Sequence, residues 1–178
     1  MTQTVSLLTR LLGTTAAGRD YKLAENYVLL RDAVFAATPD AIGIIDEAGE
    51  HGVWGFVLET GYPETVASLV ALADGTVSLY FSNGGGMIGL GSHERLQHAS
   101  RTLLETAPRF LEYCDFTTKY PLPRREHARF FLFSHDVKLS AEAKEDDLAY
   151  DAHPLSPLYH TAHELITGIR KLDRKREF

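Results

Sequence analysis

The sequence predicts an α+β fold, an antiparallel β-meander sheet packed against amphipathic helices. Three observations carry this reading. Strand-like runs at 53–60, 65–73 and 76–82 follow one another, separated only by Gly61-Tyr62-Pro63 and by Asp74-Gly75. Helical stripes lie on both sides of these runs, and the 178-residue chain suits one globular domain over 1–178 with a sizeable core.

Taken in order, residues 4–12 place Val5, Leu7, Leu8, Leu11 and Leu12 on a helical stripe stopped by Gly13, and residues 14–19 read as a loop. Asp20 is placed as N-cap of a second helix with Leu23, Tyr27, Leu30 and Val34 on one face, ending before Pro39. Residues 41–46 suggest a short strand, and Glu47-Ala48-Gly49-Glu50 a turn. Asp-Gly between alternating runs is a strong hairpin signal. A two-residue turn at Asp74-Gly75 sets Leu72 opposite Val77, Val70 opposite Leu79 and Ser68 opposite Phe81. That register puts those residues on an apolar face and leaves Thr65, Ala67, Leu69, Ala71, Thr76, Ser78 and Tyr80 on a more polar one.

Farther along, Ser92 suits an N-cap, with Glu94 in the first turn complementing the helix dipole. Leu96, Ala99, Leu103, Ala107, Phe110 and Cys114 form the stripe of that helix, which Pro108 should kink or break. Leu103 and Phe110 are expected against the sheet. Residues 117–127 read as a loop, 129–135 as a strand and 142–151 as an acidic stretch. A last helix begins near Pro157 and carries Leu158, Leu165, Ile169 and Leu172 before a basic tail.

The net charge of −6 argues against nucleic acid as the main partner, because phosphate binding needs a basic face. The single cysteine, Cys114, permits no internal disulfide and favours a reducing, cytoplasmic setting. Residues 1–20 lack a basic leader and read poorly as a signal peptide. No apolar run reaches the roughly 18 residues that a membrane span needs.

Five glycines between residues 83 and 94 make the most unusual segment, Asn83-Gly84-Gly85-Gly86-Met87-Ile88-Gly89-Leu90-Gly91-Ser92-His93-Glu94. Such a loop either makes an unusual turn or presents bare N–H groups to an anion beside a helix N-terminus. Asn83, Gly84, Gly85, Gly86, Ser92, His93 and Glu94 are therefore the candidate ligand-binding residues. At least Gly85 or Gly86 is expected in a backbone conformation closed to alanine. Gly84-x-Gly86-x-x-Gly89 matches the dinucleotide fingerprint by letter, but it follows antiparallel hairpins and lacks a strand-end acid downstream. No Gly-Lys-Ser/Thr ending makes it a P-loop.

His93 and His98 are five apart, which leaves their imidazoles about 140° apart on a helix and unsuited to one zinc. His153, His160 and His163, with Glu164 beside them, fit no specific metal motif and read as surface or packing residues; no metal is expected. Cys114 falls on an apolar stripe and reads as inert. Ser82 has no nucleophile elbow around it. The basic groups Lys119, Arg124, Arg125 and Arg129, and Arg170, Lys171, Arg174, Lys175 and Arg176, read as solvated faces, one of which the acidic stretch could meet.

The string from Asp74-Gly75-Thr76 through Leu79-Tyr80-Phe81-Ser82-Asn83-Gly84-Gly85-Gly86, continued by Ile88-Gly89 and His93-Glu94, resembles one found in uncharacterised bacterial proteins. The resemblance implies no activity. In element order alone the chain is similar to the profilin and roadblock architectures, an analogy of fold that supplies no function. With no complete catalytic constellation, the expected function is a non-enzymatic protein-interaction or self-assembly module. The alternative is a small-ligand or phosphate-ester binder, conceivably an enzyme, centred on loop 83–94. The sequence specifies no cofactor.

Overall fold

The structure, a computed structural model, describes residues 21–43, 52–135 and 137–176. The expected helix at 4–12, the Asp20 cap and the turn at 47–50 lie outside them. The described elements are α1 (Glu25–Ala36), β1 (Gly55–Gly61), β2 (Val66–Leu72), β3 (Val77–Phe81), β4 (Gly86–Met87), α2 (Glu94–Thr106), β5 (Asp115–Phe116), β6 (His127–Ser134), β7 (Val137–Lys144), α3 (Glu145–Ala149) and α4 (Ser156–Arg176). The strands form one antiparallel sheet in the order β4-β3-β2-β1-β6-β7-β5, and the fold is α+β. β1 to β3 make the expected meander, and β4 adds a fourth strand within the glycine segment, which the sequence reading took as a loop.

Both faces of the sheet are covered. Phe56, Leu58, Leu69, Val77, Leu79, Phe130 and Leu132 share one core with Leu96 and Leu103 of α2 and Leu158, Leu165 and Ile169 of α4. Val57, Val70, Leu72, Tyr80, Phe131 and Phe133 share a second with Tyr27 and Phe35 of α1, and Tyr120 and Leu122 of the 117–126 connection pack against it. Strands buried on both sides read as near-continuous apolar runs, as 53–60 and 65–73 do. A Cβ at Gly168 would lie 2.8 Å from Leu96 Cδ2, so glycine there permits the close crossing of α2 and α4.

The Asp74-Gly75 hairpin is present, but its register differs by one residue from the sequence expectation. Ala71 pairs with Val77, Leu69 with Leu79 and Ala67 with Phe81. The cause is a three-residue loop. Gly75 N–H donates to Leu72 O (3.0 Å), Gly75 takes φ 90°, and Leu72 N–H closes the loop on Thr76 O (2.9 Å). This is the turn-plus-left-handed-glycine loop, with one residue more than the two-residue turn. The slip exchanges the faces: Leu69 and Ala71 lie with Val77 and Leu79, while Val70 and Leu72 lie with Tyr80. Neither face is the polar one.

Other expectations are also corrected. Asp40–Ile42 form a 3-10 turn where a strand was expected to begin. Ser92 is not an N-cap: it closes a 3-10 turn at Leu90–Ser92, and His93 occupies the cap position without a side-chain cap bond. Pro108 does interrupt α2, which tightens into 3-10 geometry over Ala107–Tyr113. Leu103 is buried, whereas Phe110 is only partly so. β7 answers to no expected element, although Val-Lys-Leu-Ser-Ala-Glu-Ala-Lys alternates strictly.

Candidate functional site

The candidate residues from the glycine segment fall into two groups. Asn83, Gly84, Gly85 and Gly86 form the β3–β4 hairpin. Its loop repeats the chemistry of the preceding one: Gly84 N–H donates to Phe81 O (2.9 Å), Phe81 N–H to Gly85 O (2.8 Å), and Gly84 has φ 95°. Asn83 Oδ1 accepts from Gly85 N–H (3.1 Å) as Asp74 Oδ1 accepts from Thr76 N–H (2.8 Å). The hairpin also holds the start of α1. Asn26 Nδ2 donates to Gly84 O (3.0 Å), and Ala24 N–H donates to Ser82 O (2.8 Å). The N–H groups of Gly84 and Gly85 are thus committed within the protein, and the turn accounts for them.

Gly86 and Gly91 have separate packing roles. Gly86 takes φ 141°, and a Cβ there would fall on the Cα of Tyr80; a Cβ on Gly91 would fall on the carbonyl oxygen of Gly75. Gly85 is different, since the nearest atom to an added Cβ is Asn83 Oδ1 at 3.5 Å. Gly86→Ala should therefore destabilise by about 1–3 kcal/mol. Gly85→Ala should be neutral or stabilise by about 0.4–1 kcal/mol. Denaturant unfolding of the two variants checks this contrast, and equal stabilities would contradict it.

Ser92, His93 and Glu94 lie at the start of α2. His93 and Glu94 line a hollow of about 530 Å³ between α2 and α4, with Leu96, Ala99, Glu164, Gly168, Lys171 and Leu172; none of Asn83 to Gly86 lines it. The structure therefore does not gather the seven candidates into one pocket.

The histidines farther along have separate partners. His160 Nε2 lies 2.9 Å from Asp151 Oδ1, and His153 Nδ1 accepts from Leu155 N–H (3.1 Å). His163 packs on Tyr159 with ring centroids 4.1 Å apart, and its buried Nε2 has no hydrogen-bond partner. Among the described residues no three His, Cys, Asp or Glu side chains converge as a metal set. Burial, helped by the charges of Arg170 and His160, pushes the His163 imidazole from 6.5 down to about 4. An unfolded chain binds that proton more readily, so His163 contributes stability above about pH 6.5 that is lost as pH falls toward 4. His163→Gln should flatten the stability profile across this window in thermal melts; an unchanged slope would contradict the burial. Cys114 is partly buried, and burial with Asp115 nearby pushes its thiol up to about 12, which fits an inert residue.

The most organised polar chemistry lies between α1 and the sheet. Register sets Tyr80, Ser68, Glu59, Arg129 and Glu142 side by side across β3, β2, β1, β6 and β7. Glu59, the one charge in β1, has a fully buried side chain (0% exposed). Arg31 of α1 grips it with two bonds, Nε to Oε1 (2.7 Å) and Nη2 to Oε2 (2.9 Å), and Arg31 Nη2 also donates to Tyr120 O (2.7 Å). Ser68 Oγ donates to Glu59 Oε1 (3.2 Å), and the Tyr27 hydroxyl lies 3.0 Å from Ser68 Oγ. Burial alone would lower the Arg31 pKa; the Glu59 carboxylate outweighs it, and the net shift is upward. Burial pushes the hydroxyls of Tyr27 and Tyr80 up, with Glu59 adding to both. Farther along the row, Glu142 accepts from Arg129 Nη2 (2.9 Å), Arg124 Nε (3.2 Å) and Arg124 N–H (2.8 Å). The acidic stretch thus does meet one basic segment. With both oxygens of Glu59 occupied and its side chain closed to solvent, this network clamps α1 to the sheet rather than handling a substrate.

The clamp places a cation on the inner face of α1 and leaves apolar residues on its outer face. Tyr27, Arg31 and Phe35, spaced four apart, point inward. Leu29, Ala33 and Ala36 are exposed, and Leu29 shows 65% of its surface. The sequence reading expected Leu23, Tyr27, Leu30 and Val34 inward. Tyr27 is buried, Leu30 and Val34 are partly buried, and Leu23 is exposed. Sequence reasoning missed Leu29. The available signals were Glu59 inside an apolar strand, which demanded a buried cation, and a helix with apolar residues on both sides.

Among the described residues no helix is long and apolar enough to cross a membrane. No protein-family model, no curated protein and no solved structure matches the chain.

Proposed function

We propose that this chain is a non-enzymatic protein-interaction module, working in the cytoplasm, that receives its partner on the outer face of α1. The observation that supports this reading is the outer face of α1: the helix spends its one arginine inward on Glu59, while Leu29 stands 65% exposed beside the exposed Ala33 and Ala36. The alternative, a small anionic ligand at residues 83–94, has less support, because the N–H groups of Gly84 and Gly85 are already bonded.

Site-specific photo-crosslinking in cells tests the proposal. A photoreactive residue at Leu29 should give a discrete protein adduct, and one at the exposed Gln97 of α2 should not. No adduct at position 29 would overturn the reading.

A further inference from the structure

The margins of the α1 stripe indicate what kind of protein it takes. At 100° per residue, Ala36 and Ala33 lie about 20° and 40° from Leu29, so the three form one stripe. Glu25 and Asp32 lie about 40° and 60° from Leu29, on the same side as each other. Both are exposed, and the exposed neighbour on the opposite side is the uncharged Asn26. Arg31, the only basic residue of α1, cannot neutralise this acidic margin because it is held by Glu59. The side chains at Ala33 and Ala36 are small, and Leu29, between them around the helix axis, is 65% exposed.

Resting on the interaction reading above, we propose that the occupant is an amphipathic helix with an apolar stripe and a basic margin. Its large apolar side chains would pack beside Leu29 over the small Ala33 and Ala36, and its lysines or arginines would face Glu25 and Asp32. The chain's net charge of −6 would speed the encounter with such a partner. A second copy of this chain fits less well. Two antiparallel copies related by a twofold axis would bring the acidic margins to the same side, setting Asp32 near its own mate.

The test uses a labelled synthetic helix of leucines with lysines along one margin, and a twin with glutamates in place of the lysines, titrated against the full chain by fluorescence anisotropy. The lysine helix should bind saturably, more weakly as salt rises. Its binding should weaken at least about tenfold with Leu29→Asp, and likewise with Asp32→Lys or Ala33→Arg. The glutamate twin should bind Asp32→Lys better than the original chain. Equal binding of the lysine helix to the original chain and to Leu29→Asp would overturn the proposal. Sedimentation of the protein alone separates the two readings: a dimer that Leu29→Asp abolishes overturns the basic partner but keeps the interaction face. No helix binding, no dimer and no crosslink at position 29 overturns both.

Discussion

Arg31→Ala is expected to destabilise the protein by about 3–5 kcal/mol, the range for removing one partner of a buried ion pair. Glu59 has no exposed side-chain surface, so its charge would be left in the sheet with only Ser68 and Tyr27 as hydrogen-bond partners and Arg129 across the β1–β6 pair as the remaining cation. Arg31 retains 13% exposure, which makes the reverse deletion milder: in Glu59→Gln the guanidinium can still turn toward water. Replacing both residues with methionine should recover most of the loss, because two desolvated charges are exchanged for packing. Denaturant unfolding of Arg31→Met, Glu59→Met and the double closes the cycle. A double variant as unstable as Arg31→Ala would show that the pair is not an isolated clamp.

Leu103→Ala carries the second large effect, about 2–5 kcal/mol. Leu103 is fully buried in the core that joins α2 and α4 to the sheet, and truncation leaves a cavity among groups that cannot close over it. Phe110→Ala should lose less, since Phe110 sits beyond the Pro108 break and is only partly buried. Equal losses at the two positions in equilibrium unfolding would contradict the packing described for the end of α2.

The alternation of 65–73 and 76–82 and the Asp-Gly signal locate the meander, because a sheet buried on both faces leaves few other uses for such apolar runs. The register is not legible in the same way. Whether Ala73 belongs to the strand or to the loop depends on the left-handed Gly75 and on the bond from Thr76 N–H to Asp74, and both outcomes present an apolar Leu72. β7 escapes notice because its alternation ends in Glu142 and Lys144, which read as part of a charged stretch until Arg124 and Arg129 are seen to meet Glu142. The glycine segment draws attention by composition, yet Gly84, Gly86 and Gly91 are explained by a turn and two close backbone approaches. The face of α1 is hidden for the opposite reason. Its apolar residues lie on both sides, so periodicity cannot choose between Leu29 and Arg31 for the interior. Only the long-range pairing with Glu59 decides it.

That choice is what the functional reading stands on, and one paired measurement tests it most directly: the thermal stability of Leu29→Asp beside that of Arg31→Leu. In an ordinary amphipathic helix the first would be damaging and the second harmless. Here Leu29→Asp should stay within about 0.5 kcal/mol of the original chain, as a surface change does. Arg31→Leu should lose several kcal/mol, as a buried carboxylate stripped of its cation does. The reverse order, with Leu29→Asp unfolding the protein and Arg31→Leu tolerated, would mean that α1 buries its apolar stripe within the chain and has no outer face to offer a partner.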